Sequence, residues 1–189
     1  MHDDVLAFWF EQTEPARWWA SDPAFDALVR RRYAALLQQA ASGELYAWRA
    51  TPHGRLAEVI VLDQFSRNIH RDTARAFAQD GMALALAQEA VAAGVLTTLE
   101  PVQRCFVLMP YMHSESRAIH ALAEPLFAAF APQDNHRYEL RHKAVIDRFG
   151  RYPHRNAVLG RPLHRFEDYK LADLCSLSAS QTSRRNPKS

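Results

Sequence analysis

An apolar helical stripe in the segment RLAEVIVLDQFSRN runs directly into charged and amide side chains. Asp63 and Arg67 are four residues apart, as are Gln64 and Asn68, so each pair can share one helix face. The other sides of this helix are also apolar, which predicts burial nearly all round. An unpaired buried charge costs roughly several kcal/mol, so these charges need partners. We expect either an ion-pair network that fixes helix packing, or a pocket lined by Gln64, Asn68 and Arg71 above that network.

A second polar group follows the proline of LMPYMHSESRAIH, where Pro110 is predicted to break or kink the helix. Adjacent residues on a helix point about 100° apart, so His113 is not placed to activate Ser114 as a nucleophile. The chain also contains no G-x-S-x-G turn. Ser114 is therefore predicted to cap the next helix. His113 and Glu115 can converge near the break, and the alternative for His113 is a hydrogen-bonded core histidine.

A third polar group lies in LRHKAVIDRFGRYPHRN, where Gly150 is expected to end a helix and Pro153 to prevent its resumption. An irregular segment then presents the donors of Arg151, His154, Arg155 and Asn156. The planar fork of arginine suits a carboxylate or a phosphate. The alternative is that these arginines bind helix carbonyls and the protein's own acids, of which Asp63, Asp80 and Glu115 are the candidates.

Motif spacing gives no reason to expect a metal or a cofactor. The possible ligands His113, Glu115, His142, Asp147 and His154 would have to converge through the tertiary fold. Neither H-E-x-x-H nor C-x-x-C occurs, and with six glycines the chain has no glycine-rich phosphate loop. Nucleic-acid-binding motifs are likewise missing, so nucleic acid is an unlikely partner.

Helical periodicity dominates the chain, and short apolar runs such as EVIVL lie inside longer helical patterns. Predicted helix caps and helix ends are Asp22, Thr51 and Asp80, and Gly43, Gly94 and Gly150, respectively. We predict an all-α fold of six to eight helices without a sheet, packed as antiparallel neighbours. Residues 1–174 form one helical domain in this prediction, and the Ser-rich, basic residues 175–189 form a disordered tail.

The net charge of +2 conceals an uneven distribution. Residues 1–140 hold twelve Arg against seventeen acids, whereas residues 141–189 hold eleven Lys or Arg against four acids. A local positive field favours an anionic partner. Two unrelated cysteines, Cys105 and Cys175, indicate a reducing compartment, and neither a signal sequence nor a membrane-spanning apolar stretch is recognised. These features predict a cytoplasmic protein without membrane association.

Over roughly residues 4 to 161 the sequence resembles the uncharacterised family called domain of unknown function 924. The resemblance rests on VLAFWF, ARWWASDPAFDALVRRRY, GELYAW, LDQFSRNIHRDTARAFAQD, MPYMHSES and RFGRYPHRNAVLGR. Positions that match the family's polar motifs are Asp63, Gln64, Arg67, Asn68, Arg71, His113, Ser114, Glu115, Arg151, Pro153, Arg155 and Asn156. The resemblance implies a fold similar to tetratricopeptide-repeat proteins, an array of antiparallel helix hairpins, and no established activity or cofactor. After LGR the chain departs from the family, because the usual Ser/Thr-x-x-Glu cap is missing before FEDYKL and the tail is longer.

Three functions are compatible with these residues. The first is a binding module for a small anionic molecule or a peptide carboxylate, with a groove lined by Gln64, Arg67, Asn68, Arg71, His113, Arg151, Arg155 and Asn156. The second is an enzyme acting on a phosphorylated or carboxylated metabolite through acid–base chemistry of Asp63, His113, Glu115 and His154. The third is a structural protein in which every one of these charges is internally paired. Reaction, partner and oligomeric state do not follow from the sequence.

Overall fold

The structure, a computed structural model, describes residues 1–162 of the chain, and within this range it contains helices and no strand. The α-helices are α1 His2–Leu6, α2 Pro23–Ala41, α3 Pro52–Ile60, α4 Ser66–Ile69, α5 Asp80–Ala92, α6 Pro101–Met112, α7 Arg117–Phe130 and α8 Gln133–Phe149. The predicted all-α class is thereby confirmed. The domain end at residue 174, the tail 175–189 and the FEDYKL segment lie outside the described residues.

Side-chain caps and glycines set most helix boundaries where the sequence places them. The Asp22 carboxylate accepts hydrogen bonds from the main-chain nitrogens of Ala24 and Phe25, at 3.0 and 3.1 Å, and a proline follows at the first helical position. Thr51 caps α3 in the same way. Gly150 ends α8 in the left-handed conformation, with a φ of 67° that is unfavourable for other residues.

The helix that carries LDQFSRN is the centre of the fold. A π turn, Val61–Phe65, joins α3 to α4, so residues 52–69 form one continuous helix, called here the central helix. Each residue from Leu56 to Phe65 is buried, as the all-round apolar pattern predicts. Four other helices, α1, α2, α5 and α6, pack on it. A π turn widens the helix locally and is found frequently at functional sites.

Aromatic side chains hold the first helices against the central helix. The ring of Trp9 lies 5.6 Å from those of both Phe65 and Phe106, and Tyr33 stacks on Phe65 at 4.6 Å. Edge-to-face and stacked ring pairs of this kind add to the stabilisation from burial. The central helix therefore has a fixed rotation about its axis, which fixes the direction of its polar side chains.

Three boundary predictions are wrong. The break predicted at Pro110 does not occur and α6 continues to Met112, because a proline removes only one backbone hydrogen bond and the packing of the buried residues around it retains the helix. Ser114 does not cap α7, which starts after Ser116. Asp80 is the first residue of α5 rather than its cap, and its carboxylate is engaged by arginines instead.

Helices α5 to α8 pack consecutively, each on the next. This order brings the HSE motif, at the end of α6, and the loop that follows α8 to the same side of the central helix. The arrangement agrees with packing of sequential neighbours, whereas a tetratricopeptide-like superhelix stays a prediction.

Candidate functional site

Asp63 lies in the π turn of the central helix, fully buried, and is the first residue of the candidate site. The Nη1 of Arg67 donates to the carboxylate oxygen Oδ1 of Asp63 at 2.9 Å and to its main-chain oxygen at 2.8 Å. The predicted Asp63–Arg67 pair is thus present. Burial alone raises the pKa of Asp63, but the charge of Arg67 and the contact with His113 outweigh it and hold the pKa well below its usual range. Asp63 is therefore ionised at neutral pH.

His113 lies at the end of α6 with its Nδ1 atom 2.8 Å from Oδ1 of Asp63. Burial and the nearby charge of Arg67 lower its pKa against the opposing effect of Asp63, so the imidazole is neutral at pH 7. An ionised carboxylate only accepts hydrogen bonds, which places the proton of neutral His113 on Nδ1. The lone pair is then on Nε2. Among residues 1–162, no side chain or main-chain group is hydrogen-bonded to this atom. The side chain of His113 is 15% exposed to solvent.

Two further charges continue the line of ion pairs. The Nη2 of Arg67 is 3.1 Å from Oδ2 of Asp80, and the same oxygen accepts from Nη1 of Arg155 at 3.1 Å. His113, Asp63, Arg67, Asp80 and Arg155 thus form one connected series, called here the charge array. Its two aspartates balance its two arginines. The prediction that the loop arginines bind the protein's own acids is correct for Arg155.

Arg155 is only 6% exposed and is held between two aromatic rings. Its guanidinium carbon is 4.5 Å from the ring centre of Phe77 and 4.6 Å from that of Tyr152. Its Nε atom is buried and has no hydrogen-bond partner among the described residues. Both amide atoms of the fully buried Asn156 are also without a partner in this range. Unsatisfied buried polar groups are rare and are expected to bind water or a ligand.

Histidines gather around Tyr152 beside the charge array. The rings of His142 and His154 lie 5.6 and 5.5 Å from that of Tyr152. Burial lowers the pKa of His142 to about 3, although its Nδ1 donates to the main-chain oxygen of Tyr138 at 2.8 Å. His154 has solvent-exposed surface, yet desolvation and the charge of Arg155 lower its pKa to about 4. This side of the site is therefore made of neutral imidazoles.

The other residues of the HSE motif connect the α6–α7 corner to α8 and to the following loop. The main-chain oxygen of Ser114 accepts from Nε2 of His120, whose Nδ1 is 2.6 Å from the buried carboxylate of Glu139. Glu115 accepts from the main-chain nitrogen of Tyr152 at 2.8 Å and from Arg161 at 2.6 Å. Glu115 is therefore already engaged by two donors, which argues against a role as a free acid.

Asn68 of the central helix and Arg71, which follows that helix, share a partner outside the charge array. Asn68 and Arg71 both bind the carboxylate of Asp26 on α2, with Asn68 Nδ2 and Arg71 Nη2 each 2.8 Å from Oδ1. These three residues are called here the α2 network. Gln64 donates to Asp63 at 2.6 Å, so it lies with the charge array. Gln64 and His113 therefore bind the same carboxylate, that of Asp63. Asn68 and Arg71 bind a different one, that of Asp26.

Arg151 is half-buried and engaged in contacts of its own. Phe77 and Tyr152, which enclose Arg155, and Asp26 were not foreseen from the sequence. The only signal for the first two is the spacing of Tyr152 from Arg155 and of Phe77 from Asp80, each three residues. In residues 1–162, no three His, Cys, Asp or Glu side chains are arranged to hold a metal ion.

The fold and the site define an all-α protein with a buried Asp–His pair in a line of ion pairs. The chain belongs to the family described as "Bacterial protein of unknown function (DUF924)", which it matches over residues 5–173. Its structure is similar to that of ATU0120, a protein of unknown function from Agrobacterium tumefaciens, with a TM-score of 0.83. The two are 31% identical, over 89% of this chain and 94% of that one. No curated protein matches the sequence. No helix within residues 1–162 has both the length and the apolar character needed to cross a membrane.

Proposed function

We propose that this protein binds a small anion, a phosphate or carboxylate group, beside His113 and Arg155 of the charge array. The observation that carries the proposal is the presence of unused polar atoms at both ends of the array. His113 Nε2 and Arg155 Nε have no partner among the described residues, although Asp63 and Asp80 hold both side chains in place. Asp80, which binds Arg155, is near enough to His113 for its charge to act on the imidazole.

Charge balance determines how an anion would bind. Asp63 and Asp80 already neutralise Arg67 and Arg155, so an added negative charge needs a further positive one. His113 supplies it by accepting a proton on Nε2, which then becomes a donor to the anion, while Asp63 stabilises the imidazolium. Binding therefore takes up a proton and raises the pKa of His113, and affinity increases as the pH falls from 8 toward 6.

The test is calorimetric titration of the full chain with inorganic phosphate and with acetate in buffers of different ionisation enthalpy. We expect about one proton to be taken up per anion at pH 7, and the variants His113→Asn and Arg155→Lys to weaken binding by about tenfold or more. Arg71→Lys, which changes an arginine of the α2 network, is the matched control and should leave the affinity unchanged. Absence of binding to wild type, or equal losses in all three variants, would overturn the proposal.

A second candidate function is acid–base catalysis at His113, favoured by the tautomer that Asp63 imposes. A proton on Nδ1 leaves Nε2 free to accept one from water or from a substrate hydroxyl, and Asp63 stabilises the resulting imidazolium. Turnover of 4-nitrophenyl phosphate or 4-nitrophenyl acetate tests this function. It should be lost in His113→Ala and strongly reduced in Asp63→Asn, and hydrolysis equal to that of the buffer would argue against catalysis of these two reactions.

The structural alternative predicts variants that lower stability and leave every ligand response unchanged. It explains the α2 network and Glu115, whose carboxylates accept hydrogen bonds from the protein's own donors, but not the unpartnered atoms of Arg155 and Asn156. The cytoplasmic location predicted from the cysteines belongs to the present proposal as well, because a phosphorylated or carboxylated metabolite would be met there.

A further inference from the structure

A cleft of about 250 Å³ lies between α2 and residues 66–79, and no residue of the charge array lines it. It is called here the alanine cleft. At about 30 Å³ per water molecule it has the volume of roughly eight waters. Ligand pockets for drug-sized molecules begin at about 300 Å³, so this cleft suits a metabolite smaller than a nucleotide.

Small side chains create the cleft. Ala34 and Ala41 are seven residues apart on α2 and therefore share a helix face, and Ala78 faces them from the segment after α4. Because an alanine side chain is a single methyl group, these three positions leave open the space that forms part of the alanine cleft. The walls here are apolar and offer a short hydrocarbon chain a surface to contact.

Cationic and polar groups form the rest of the lining. His70 and Arg75 contribute an imidazole and a guanidinium, and Gln38 contributes an amide. No acid is among the lining residues, and Arg75 forms no ion pair with any of residues 1–162. Burial, and after it the charges of Arg75 and Arg30, lower the pKa of His70, so both guanidinium groups lie near this imidazole. Here, unlike in the charge array, the cations are not balanced by carboxylates.

We infer that the alanine cleft binds a small aliphatic monocarboxylate, with its carboxylate at Arg75 and His70 and its chain along Ala34 and Ala41. Arginine recognises a carboxylate through its planar fork, and a nearby imidazole adds a further polar contact. The apolar wall favours a carboxylate with a chain over an inorganic anion. This site does not depend on the proposed function, because it shares no side chain with the charge array.

Nuclear magnetic resonance of the histidine rings in the full chain tests the inference, with sodium hexanoate as the probe. Acetate supplies the same carboxylate without the chain, and 1-hexanol supplies the chain without the charge. Each buried methylene strengthens binding by roughly fourfold, so hexanoate should shift the His70 signals with at least tenfold higher affinity than acetate. Hexanol should bind weaker than hexanoate, because it lacks the charge that Arg75 recognises.

Variants separate the cleft from the rest of the surface. Ala34→Leu fills the cleft and should weaken hexanoate binding by about tenfold or more, whereas Ala35→Leu, at the neighbouring position of α2 that does not line the cleft, should change it by less than about twofold. Arg75→Gln should weaken binding, with Arg31→Gln as its control. His113→Asn should have no effect on the His70 response, even if phosphate binding at the charge array is lost.

Three results would overturn the inference. The first is an unchanged His70 signal in the presence of hexanoate, and the second is equal affinity for acetate and hexanoate. The third is equal loss in Ala34→Leu and Ala35→Leu. Failure of phosphate to bind at His113 would leave this site unaffected, because the two sites have different probes and different reporting histidines.

Discussion

The α2 network and the charge array both contain a buried aspartate–arginine pair, but they differ in whether all their polar atoms have partners. In both, a buried aspartate binds an arginine that lies in or directly after the central helix. In the α2 network, Asn68 Nδ2 and the Nε and Nη2 atoms of Arg71 all donate to Asp26. In the charge array, a histidine and a second arginine join the pair, and each keeps an atom without a partner among the described residues.

The difference shows that a buried ion pair does not by itself indicate a functional site. Such pairs contribute little net stability and are costly to break, whether they act as clamps or as part of a site. What distinguishes the charge array is the imidazole held by Asp63 with its second nitrogen unused. The charge array differs from the α2 network in having polar atoms without a hydrogen-bond partner among the described residues, and not in having buried charges.

Removal of the aspartates should give the largest contrast between the two regions. Asp63→Ala leaves Arg67, only 18% exposed, without its main partner and should lower the free energy of unfolding by about 3–5 kcal/mol. Asp26→Ala should cost about 1–3 kcal/mol, because Arg71 is 31% exposed and can be hydrated. Urea denaturation at pH 7 measures both values. A cost for Asp26→Ala as large as that for Asp63→Ala would remove the energetic distinction.

Acid sensitivity between pH 6.5 and 4 should distinguish the histidine side of the site from the α2 network, which contains no imidazole. The pKa of His142 is about 3 in the folded protein and about 6.5 in an unfolded chain, so below pH 6.5 the unfolded state binds more protons. Stability is therefore complete above pH 6.5 and is lost as the pH falls toward 3, by up to about 1.4 kcal/mol per pH unit for this one group. His142→Asn should reduce that slope between pH 6 and 4, as measured by urea denaturation at several pH values.

Asp63 gives a pH dependence of the same sign as His142, but at lower pH. Asp63 has a lowered folded pKa, so its contribution is present above the unfolded value of about 3.9 and is lost only below it. The two groups therefore act in adjacent pH ranges. Identical slopes for wild type and His142→Asn between pH 6 and 4 would contradict the assignment to the imidazole.

Two asparagines provide the smallest expected effect and a direct comparison. Asn156→Leu replaces a buried amide that has no partner among the described residues, and should change the free energy of unfolding by less than about 1 kcal/mol or increase it. Asn68→Leu removes a donor to Asp26 and should lower it by about 1–3 kcal/mol. Thermal or urea unfolding of the two variants decides the matter. Equal losses would mean that Asn156 is satisfied in solution, for example by ordered water.

Much of the fold follows from local signals in the sequence. Asp22 and Thr51 cap their helices because a short side chain in an extended residue reaches the free main-chain nitrogens of the next turn. Gly150 ends α8 because it adopts a left-handed conformation without strain. Pro110 shows the limit of such rules, since tertiary packing retained a helix that local geometry disfavours.

Part of the site was predictable for the same reason. Asp63 and Arg67 pair because helical spacing puts them together, and burial of the helix made partners for both obligatory. The π turn was not predictable, because it changes the register of a helix by one residue without a sequence signature. The partners Asp26 and His113 lie 42 and 50 residues from Asn68 and Asp63, respectively, beyond the reach of any local pattern.

The sequence by itself determined which residues are helical, where most helices begin and end, and that charges inside the central helix must be neutralised. These properties depend on contacts within a few residues and on the cost of burying a charge. Only the tertiary structure decided which partner each charge has, that Phe77 and Tyr152 enclose Arg155, and that His113 keeps Nε2 unused. Those outcomes depend on the packing of α5, α6 and the loop after α8 around the central helix, which no stretch of sequence specifies alone.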